Sequence, residues 1–309
     1  MKTTSWPDIT VSQWPQTKRS LHLYTQMLGK IKLAAAPIQP NWMFTALYLT
    51  PRGVTTGTIP WRAGSFEVAI DVFDSKICLS KSDGSRESIP LVPVRTVAEV
   101  YESLSAALAK LKISVSITPI PQELPDTTPL DEDRRPSEYD GAAVLRWFEA
   151  SSAVAGVFDA WRTQFFGREG LQFWWGAFDL ALLLFSGRHV TPPNDRGYIM
   201  KYDLDAELMN VGLYYGDEQT PPFFYGYIYP EPNNAASLQV SPPEASWSST
   251  LHEWVLPYDA VRNAADPTAT LRAFLDSVYE QCFAAAGWAR EQFLYKQPPL
   301  ALRSRDPQE

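Results

Sequence analysis

Apolar side chains recur every three to four positions between residues 14 and 31, with Leu21, Tyr24, Leu28 and Ile31 on one face, which predicts an amphipathic helix. On another face of the same helix His22, Gln26 and Lys30 stand at i, i+4 and i+8, so they form a polar line. The period then drops to two. Residues 42–50 (WMFTALYLT) and 66–73 (FEVAIDVF) read as strands, the second alternating Phe66, Val68, Ile70 and Val72 against Glu67 and Asp71. Segments 76–80 and 86–92 flank Ser82-Asp83-Gly84-Ser85, the composition of a hairpin turn. A second helix follows over 96–111, its buried side carrying Val97, Val100, Tyr101, Leu104, Leu108 and Leu111.

From Pro119 to Pro136 five prolines and the charged run 131–135 interrupt both periods, which predicts a linker that neither continues a helix nor pairs in a sheet. Beyond it the plan recurs: a helix over about 140–166, an aromatic strand region over 172–185, strands at 223–229 and 251–256, and a helix over 267–286. Two short motifs recur in the same order. Thr25-Gln26-Met27-Leu28-Gly29-Lys30 returns as Thr163-Gln164-Phe165-Phe166-Gly167-Arg168, and Ile89 to Arg95 returns as Leu256 to Arg262. The expected class is therefore α+β, a tandem pseudo-repeat of two helix–antiparallel sheet–helix units packed about an approximate two-fold axis. The units are 1–118 and 139–296, joined by the Pro-rich linker 119–138 and followed by a disordered tail at 297–309. The second unit is longer between its landmarks, and Pro-rich breakers bracket 189–222, so that segment is expected to be an irregular inserted loop able to act as a lid.

Composition narrows the picture. Of the net charge of −8, none comes from residues 1–150, with 16 basic and 16 acidic side chains; residues 151–309 hold 11 and 19. Without a basic stripe, no nucleic acid partner is expected. The strongest apolar run, Leu171 to Phe185, is too short for a membrane span and contains Asp179, so no membrane partner is expected. Cys78 and Cys282 match no disulfide or zinc spacing, which fits a cytoplasmic setting with no metal, and no cofactor signature is present. Nothing in the pattern fixes an oligomeric state.

Several motifs carry a resemblance: Leu21-His22-x-x-Thr25-Gln26-x-x-Gly29-Lys30-Ile31, Leu47-Tyr48-x-Thr50-x-Arg52-Gly53-Val54-Thr55-Thr56, Phe178-Asp179-Leu180-Ala181, Phe185-Ser186-Gly187-Arg188 and Tyr229-Pro230-Glu231-Pro232. With them the chain resembles a bacterial family catalogued only as a domain of unknown function. The resemblance implies a bacterial source and brings no reaction. At the place where that family tends to carry a histidine before a tryptophan pair, this chain has Pro40-Asn41-Trp42-Met43.

Candidate chemistry centres on Asp179, whose neighbours are almost all apolar, because a buried carboxylate needs a partner. It forms a structural ion pair with Arg188 or Arg52, or is a cleft acid or base with a shifted pKa, or is simply exposed. Arg52 and Arg188 each follow an apolar strand and either bind an anion bidentately or hold a carboxylate. Gln26 bonds either a backbone or a ligand. Lys30 either binds a ligand or complements the helix dipole. His22 is either a base or a packing residue, and Glu231 either a pocket acid or a loop charge. Trp42, Trp174, Trp175, Tyr225 and Tyr227 supply aromatic surface for the core or for a pocket. The resulting expectation is a small anionic or aromatic ligand in a cleft between the units. A cofactor-free enzyme using Asp179, His22 and Glu231 is one alternative, a structural or partner-binding protein another.

Overall fold

The computed structural model describes residues 6–62, 64–192 and 197–295. Helix α1 (Pro15–Ala35) is followed by a 3-10 stretch Pro40–Thr45 and by strands β1 (Tyr48–Thr50), β2 (Gly53–Thr55), β3 (Ile59–Trp61), β4 (Gly64–Asp71), β5 (Lys76–Lys81) and β6 (Arg86–Pro90). The two-residue strand β7 (Arg95–Thr96) leads into α2 (Val97–Lys110), and β8 (Pro136–Ser137) into α3 (Gly141–Arg162). The second half runs β9 (Gln172–Trp174), β10 (Asp179–His189), α4 (Gly197–Asp203), β11 (Ala206–Tyr214), β12 (Phe223–Tyr229), β13 (Ser246–Ser248), β14 (Glu253–Pro257), α5 (Tyr258–Arg262), α6 (Pro267–Ala286) and α7 (Arg290–Phe293). Helices and antiparallel sheets alternate along the chain, which makes the fold α+β.

Among the described residues the strands form two six-stranded antiparallel sheets and the small pair β7-β8. The first has the order β1-β2-β4-β5-β6 with β3 on β4, and the second β13-β14-β12-β11-β10-β9. They meet edge to edge where Leu47 and Phe173 exchange backbone hydrogen bonds of 2.9 and 2.8 Å. In the first sheet one face is apolar, with Val54, Val68, Ile70, Ile77, Leu79 and Ile89 buried, and the other is half solvated. In the second sheet the inner face, carrying Leu180, Leu182, Leu184, Val211, Leu213 and Phe224, is fully buried, and α6 packs on it over β11 and β12. The glycine at 226 makes that approach possible, since a Cβ there would lie 2.8 Å from Val278.

α1 runs through the middle, touching α2, α3, β3, β4 and β8. Its whole length from Ser20 to Lys32 is buried, so the polar line read from the sequence has no water to face. Gln26 resolves this by acting as a strand edge. Its amide donates to the Gln122 carbonyl at 2.7 Å and its carbonyl accepts from the Gln122 N–H at 2.8 Å. Gly29 leaves room for the indole of Trp175, whose ring atoms would lie 2.2 Å from a Cβ.

Four expectations are corrected. The strand expected at 42–50 is split, because Asn41 and Trp42 adopt left-handed backbone (φ 52° and 58°) inside the 3-10 stretch and only Tyr48–Thr50 pairs. The supposed linker is part of the fold: Leu130 is fully buried, Asp133 is buried in ion pairs with Arg19 and Arg135, and β8 pairs with β7. The supposed loop 189–222 contains β11, a buried strand between β10 and β12. Finally, Gln26 lies in the middle of α1 whereas Gln164 lies in the turn after α3 and donates to the Trp161 carbonyl at 3.0 Å, so this landmark does not place equivalent residues. The tail at 297–309 lies outside the described residues.

Replacing Gln26 by Ala removes both bonds and leaves the N–H and carbonyl of Gln122 without their helix partner. Urea titration of Gln26→Ala is expected to show a loss of about 2–6 kcal/mol, from two groups at roughly 1–3 kcal/mol each; a loss under about 0.5 kcal/mol contradicts this assignment.

Candidate functional site

The outer face of the second sheet differs from the inner one. Cross-strand pairing sets its rows: Trp174, Asp179, Tyr214 and Phe223 in one, Gln172, Ala181, Gly212, Tyr225 and Val255 in the next, then Leu183, Asn210 and Tyr227, then Phe185, Leu208 and Tyr229. Glu253 follows on the same face of β14, two positions before Val255. Tyr214, Phe223, Tyr227, Tyr229, Glu253 and Trp174 are half-buried, so this face is only partly covered. Met43 from the Pro40–Thr45 stretch packs on Ala181, Leu183 and Leu208. Glu123 stands at the exposed rim, its carboxyl fitted against Gly176, where a Cβ would lie 2.4 Å from Oε1.

Asp179, 7% exposed, accepts a 2.6 Å hydrogen bond at Oδ2 from the Tyr225 hydroxyl two strands away. The intervening β11 must be flat for this to happen, and Gly212 makes it so: a Cβ there would sit 2.2 Å from Tyr225 Cζ and 2.3 Å from the Leu180 carbonyl oxygen. Desolvation pushes the Asp179 carboxyl up to about 7, opposed by the Tyr225 bond and reinforced by the charge of Glu123. Burial also raises Glu253 to about 7, with Asp179 adding to it, and Asp203 at the end of α4 to about 6, with Asp205 and Glu123 adding to it. Among the described residues no Lys, Arg or His forms an ion pair with any of these four carboxyls. Two buried amide oxygens, Gln172 Oε1 and Asn210 Oδ1, also have no donor. The Asn210 amide itself donates to the Tyr227 hydroxyl at 3.2 Å. The acceptors ring the face without converging, since no three His, Cys, Asp or Glu among the described residues are placed to hold one metal ion.

The structure brings together Asp179, Trp174, Tyr225 and Tyr227 from the sequence candidates, and adds Glu123, Asp203, Asn210, Gln172 and Glu253. His22, Gln26 and Trp175 lie behind them as supports. His22 Nε2 donates to the carbonyls of Trp175 (2.9 Å) and Gly176 (3.0 Å), fixing the turn between β9 and β10. Burial, with the charge of Lys18, holds its imidazole down to about 3, so it is neutral there. The Trp175 indole donates to the Thr45 carbonyl at 3.0 Å. Lys30 is buried, its Nζ without a hydrogen-bond partner among the described residues and 5.7 Å from the Trp175 ring centroid, and desolvation lowers it to about 8. Trp42 sits at the margin, its indole donating to the Ile199 carbonyl of α4 at 2.9 Å.

Neither expected ion pair of Asp179 forms. Arg52 pairs bidentately with Asp71 (2.6 and 3.0 Å) in the first sheet, and Arg188 with Glu207 at 2.7 Å. The reason is strand geometry: nine residues of β10 separate Asp179 from Arg188, about 30 Å in extended backbone. Glu231 is exposed and accepts from His252 Nδ1 at 2.9 Å, outside this cluster of contacts.

A family model described as a family of unknown function, DUF5996, matches residues 6–294, and the chain belongs to that family. No curated protein and no solved structure matches the sequence. Among the described residues no helix is long and apolar enough to cross a membrane.

The raised carboxyls set a pH dependence. A carboxyl held above its ordinary value binds its proton more tightly in the folded chain, so its contribution to stability is full below the ordinary carboxylate range and is lost as pH rises through about 7. His22 acts oppositely: its contribution is full above 6.5 and lost as pH falls through about 3. Asp179→Asn is therefore expected to flatten the fall of stability between pH 5 and 8 and to leave the variant on the order of 1–3 kcal/mol more stable than the parent at pH 8. Chemical denaturation across that range measures it; an unchanged slope refutes the desolvated carboxyl. Arg188→Gln, which removes an exposed pair, should shift stability by less than about 1 kcal/mol.

Proposed function

We propose that the protein binds a small organic cation, an amine-bearing molecule with an aromatic or apolar body, on the outer face of the second sheet. The observation that supports this most is the surplus of acceptors: Asp179, Glu253, Gln172 Oε1 and Asn210 Oδ1 share one face, Asp203 and Glu123 lie near enough to act on it electrostatically, and none has a cationic partner among the described residues. An ammonium brings donors and the opposite charge at once. The aromatic rings of Trp174, Tyr225 and Tyr227 suit the same ligand, since cations favour ring faces. The aromatic half of the ligand read from the sequence is kept. Its anionic half has lost its support, because Arg52 and Arg188 are occupied by Asp71 and Glu207. The face lies where first-half residues Met43 and Glu123 reach the second sheet, in keeping with a site at the junction of the two halves. A cofactor-free acid/base enzyme is the alternative, favoured by an Asp179 carboxyl near 7, the value suited to proton transfer at neutral pH.

Benzylamine, with benzyl alcohol as the uncharged control, tests the proposal by calorimetric titration. Saturable binding is expected for the amine alone, weakening as pH falls from 8 to 5 while the carboxyls take up protons. Asp179→Asn and Glu253→Gln should each weaken it roughly tenfold or more. Equal binding of the alcohol, or affinity indifferent to pH, overturns the reading. Conversion of the bound amine would move the conclusion to the enzymatic alternative.

A further inference from the structure

We propose that the chain carries a second, separate binding site, for a small carboxylic acid with a compact aromatic or apolar body, in the cleft between the end of α1, the Pro40–Thr45 stretch and the connection from β2 to β3. The cleft has a volume of about 230 Å³ and is lined by Lys32, Met43, Phe44, Tyr48, Thr56 and Thr58 among others. That is below the roughly 300–1,000 Å³ of pockets for drug-sized ligands, so its occupant is of metabolite size. Its floor is buried and apolar at Met43 and Phe44, and its rim at Thr58 and Pro60 is exposed, which leaves a way in.

Lys32 is the one charged side chain among the described residues that line the cleft. It is 5% exposed, its ammonium donates to the Ala46 carbonyl, and it lies 4.1 Å from the centroid of the Tyr48 ring. An ammonium has three N–H donors, and among the described residues only the Ala46 carbonyl accepts from this one. No carboxylate pairs with it among the described residues. A buried cation served by one neutral acceptor and a ring face is under-compensated, and desolvation accordingly lowers the amine to about 8. A carboxylate entering the cleft supplies the missing opposite charge and acceptors while its body covers Phe44 and Tyr48. Gly57 shapes the wall: its backbone is left-handed (φ 65°), and a Cβ there would crowd the Tyr48 ring at 3.3 Å. Met43 faces the cleft and also packs on the outer face of the second sheet, so the two sites are neighbours with opposite charge preference.

Benzoate, with benzamide as the uncharged isostere, is the probe, read by calorimetry and by amide shifts of Phe44 and Tyr48. Benzoate is expected to saturate and benzamide to bind roughly tenfold or more weakly. Lys32→Met should abolish benzoate binding, and Thr58→Trp, an exposed rim substitution that narrows the mouth, should weaken it with melting unchanged. Benzylamine binding to the acid face should survive both variants, so failure here is separable from failure of the proposed function. Absence of benzoate binding to the parent chain, equal binding of benzamide, or benzoate binding that persists in Lys32→Met with Thr58→Trp also without effect overturns the proposal.

Discussion

A helical segment with no solvent-facing side makes every unpaired polar group costly, and Ser20–Lys32 of α1 is such a segment; among its polar side chains the Lys30 ammonium is left with only a ring face. Every residue from Ser20 to Lys32 is buried, including His22, Thr25, Gln26, Lys30 and Lys32. Each unpaired buried amide or imidazole would cost a few kcal/mol, a large share of the stability of a domain. The chain answers by bringing backbone to the helix. The Gln26 amide takes both backbone groups of Gln122, and His22 takes two carbonyls of the turn at 175–176. Those two segments come from the middle of the chain and from the second sheet. Satisfying one helix therefore fixes the placement of Glu123 and of the β9–β10 turn, and with them the mouth of the acid face.

The acid face itself depends on the absence of a side chain. Tyr225 and Asp179 stand on strands separated by β11, and only a glycine at 212 lets the phenol lie across that strand. The bond does not neutralise the carboxyl; it satisfies one oxygen while burial keeps the group near 7. A face with this many acceptors and partial cover is a poor structural solution. Apolar residues of the same shape would pack there at lower cost, as the inner face of the same sheet does with Leu182, Val211 and Phe224. That contrast between two faces of one sheet is the reason for reading the outer one as a binding surface.

Periodicity made the helices legible, because α1, α2 and α6 each bury an apolar stripe and α6 is capped by Asp266 at one end and Gly287 at the other. Strand β12 was legible for its aromatic run. β11 was not, and its sequence shows why: Asn210 and Gly212 interrupt the apolar pattern at the positions that face Tyr227 and Tyr225. The residues that make the face are those that hide the strand. The 119–138 segment misled for a related reason, since prolines forbid regular structure without forbidding burial, and Leu130 and Asp133 are buried in irregular backbone. Asp179 was identifiable from its apolar surroundings, but its partner was not, because Tyr225 is near it only through strand order. Glu123, Asp203 and Glu253 gave no signal at all as isolated acids in polar or mixed segments.

The wall between the two candidate sites is itself strained. Asn41 and Trp42 hold consecutive left-handed backbone, a conformation costing on the order of 1–3 kcal/mol at each non-glycine residue and persisting only where surroundings over-determine it. The surroundings are specific. The Asn41 amide donates to the Asp203 carbonyl (3.0 Å) and to the Asp205 carboxylate (3.1 Å), and the Trp42 indole to the Ile199 carbonyl. These bonds tie the segment to α4, whose last residue is one of the raised carboxyls. The same turn sets Met43 between the acid face and the lysine cleft and Phe44 in the lysine cleft. The bent backbone thus turns both neighbours toward the lysine cleft while Met43 also reaches the second sheet. Asn41 is suited to the bend because asparagine tolerates the left-handed region better than most residues, and its amide is then in position to bond α4.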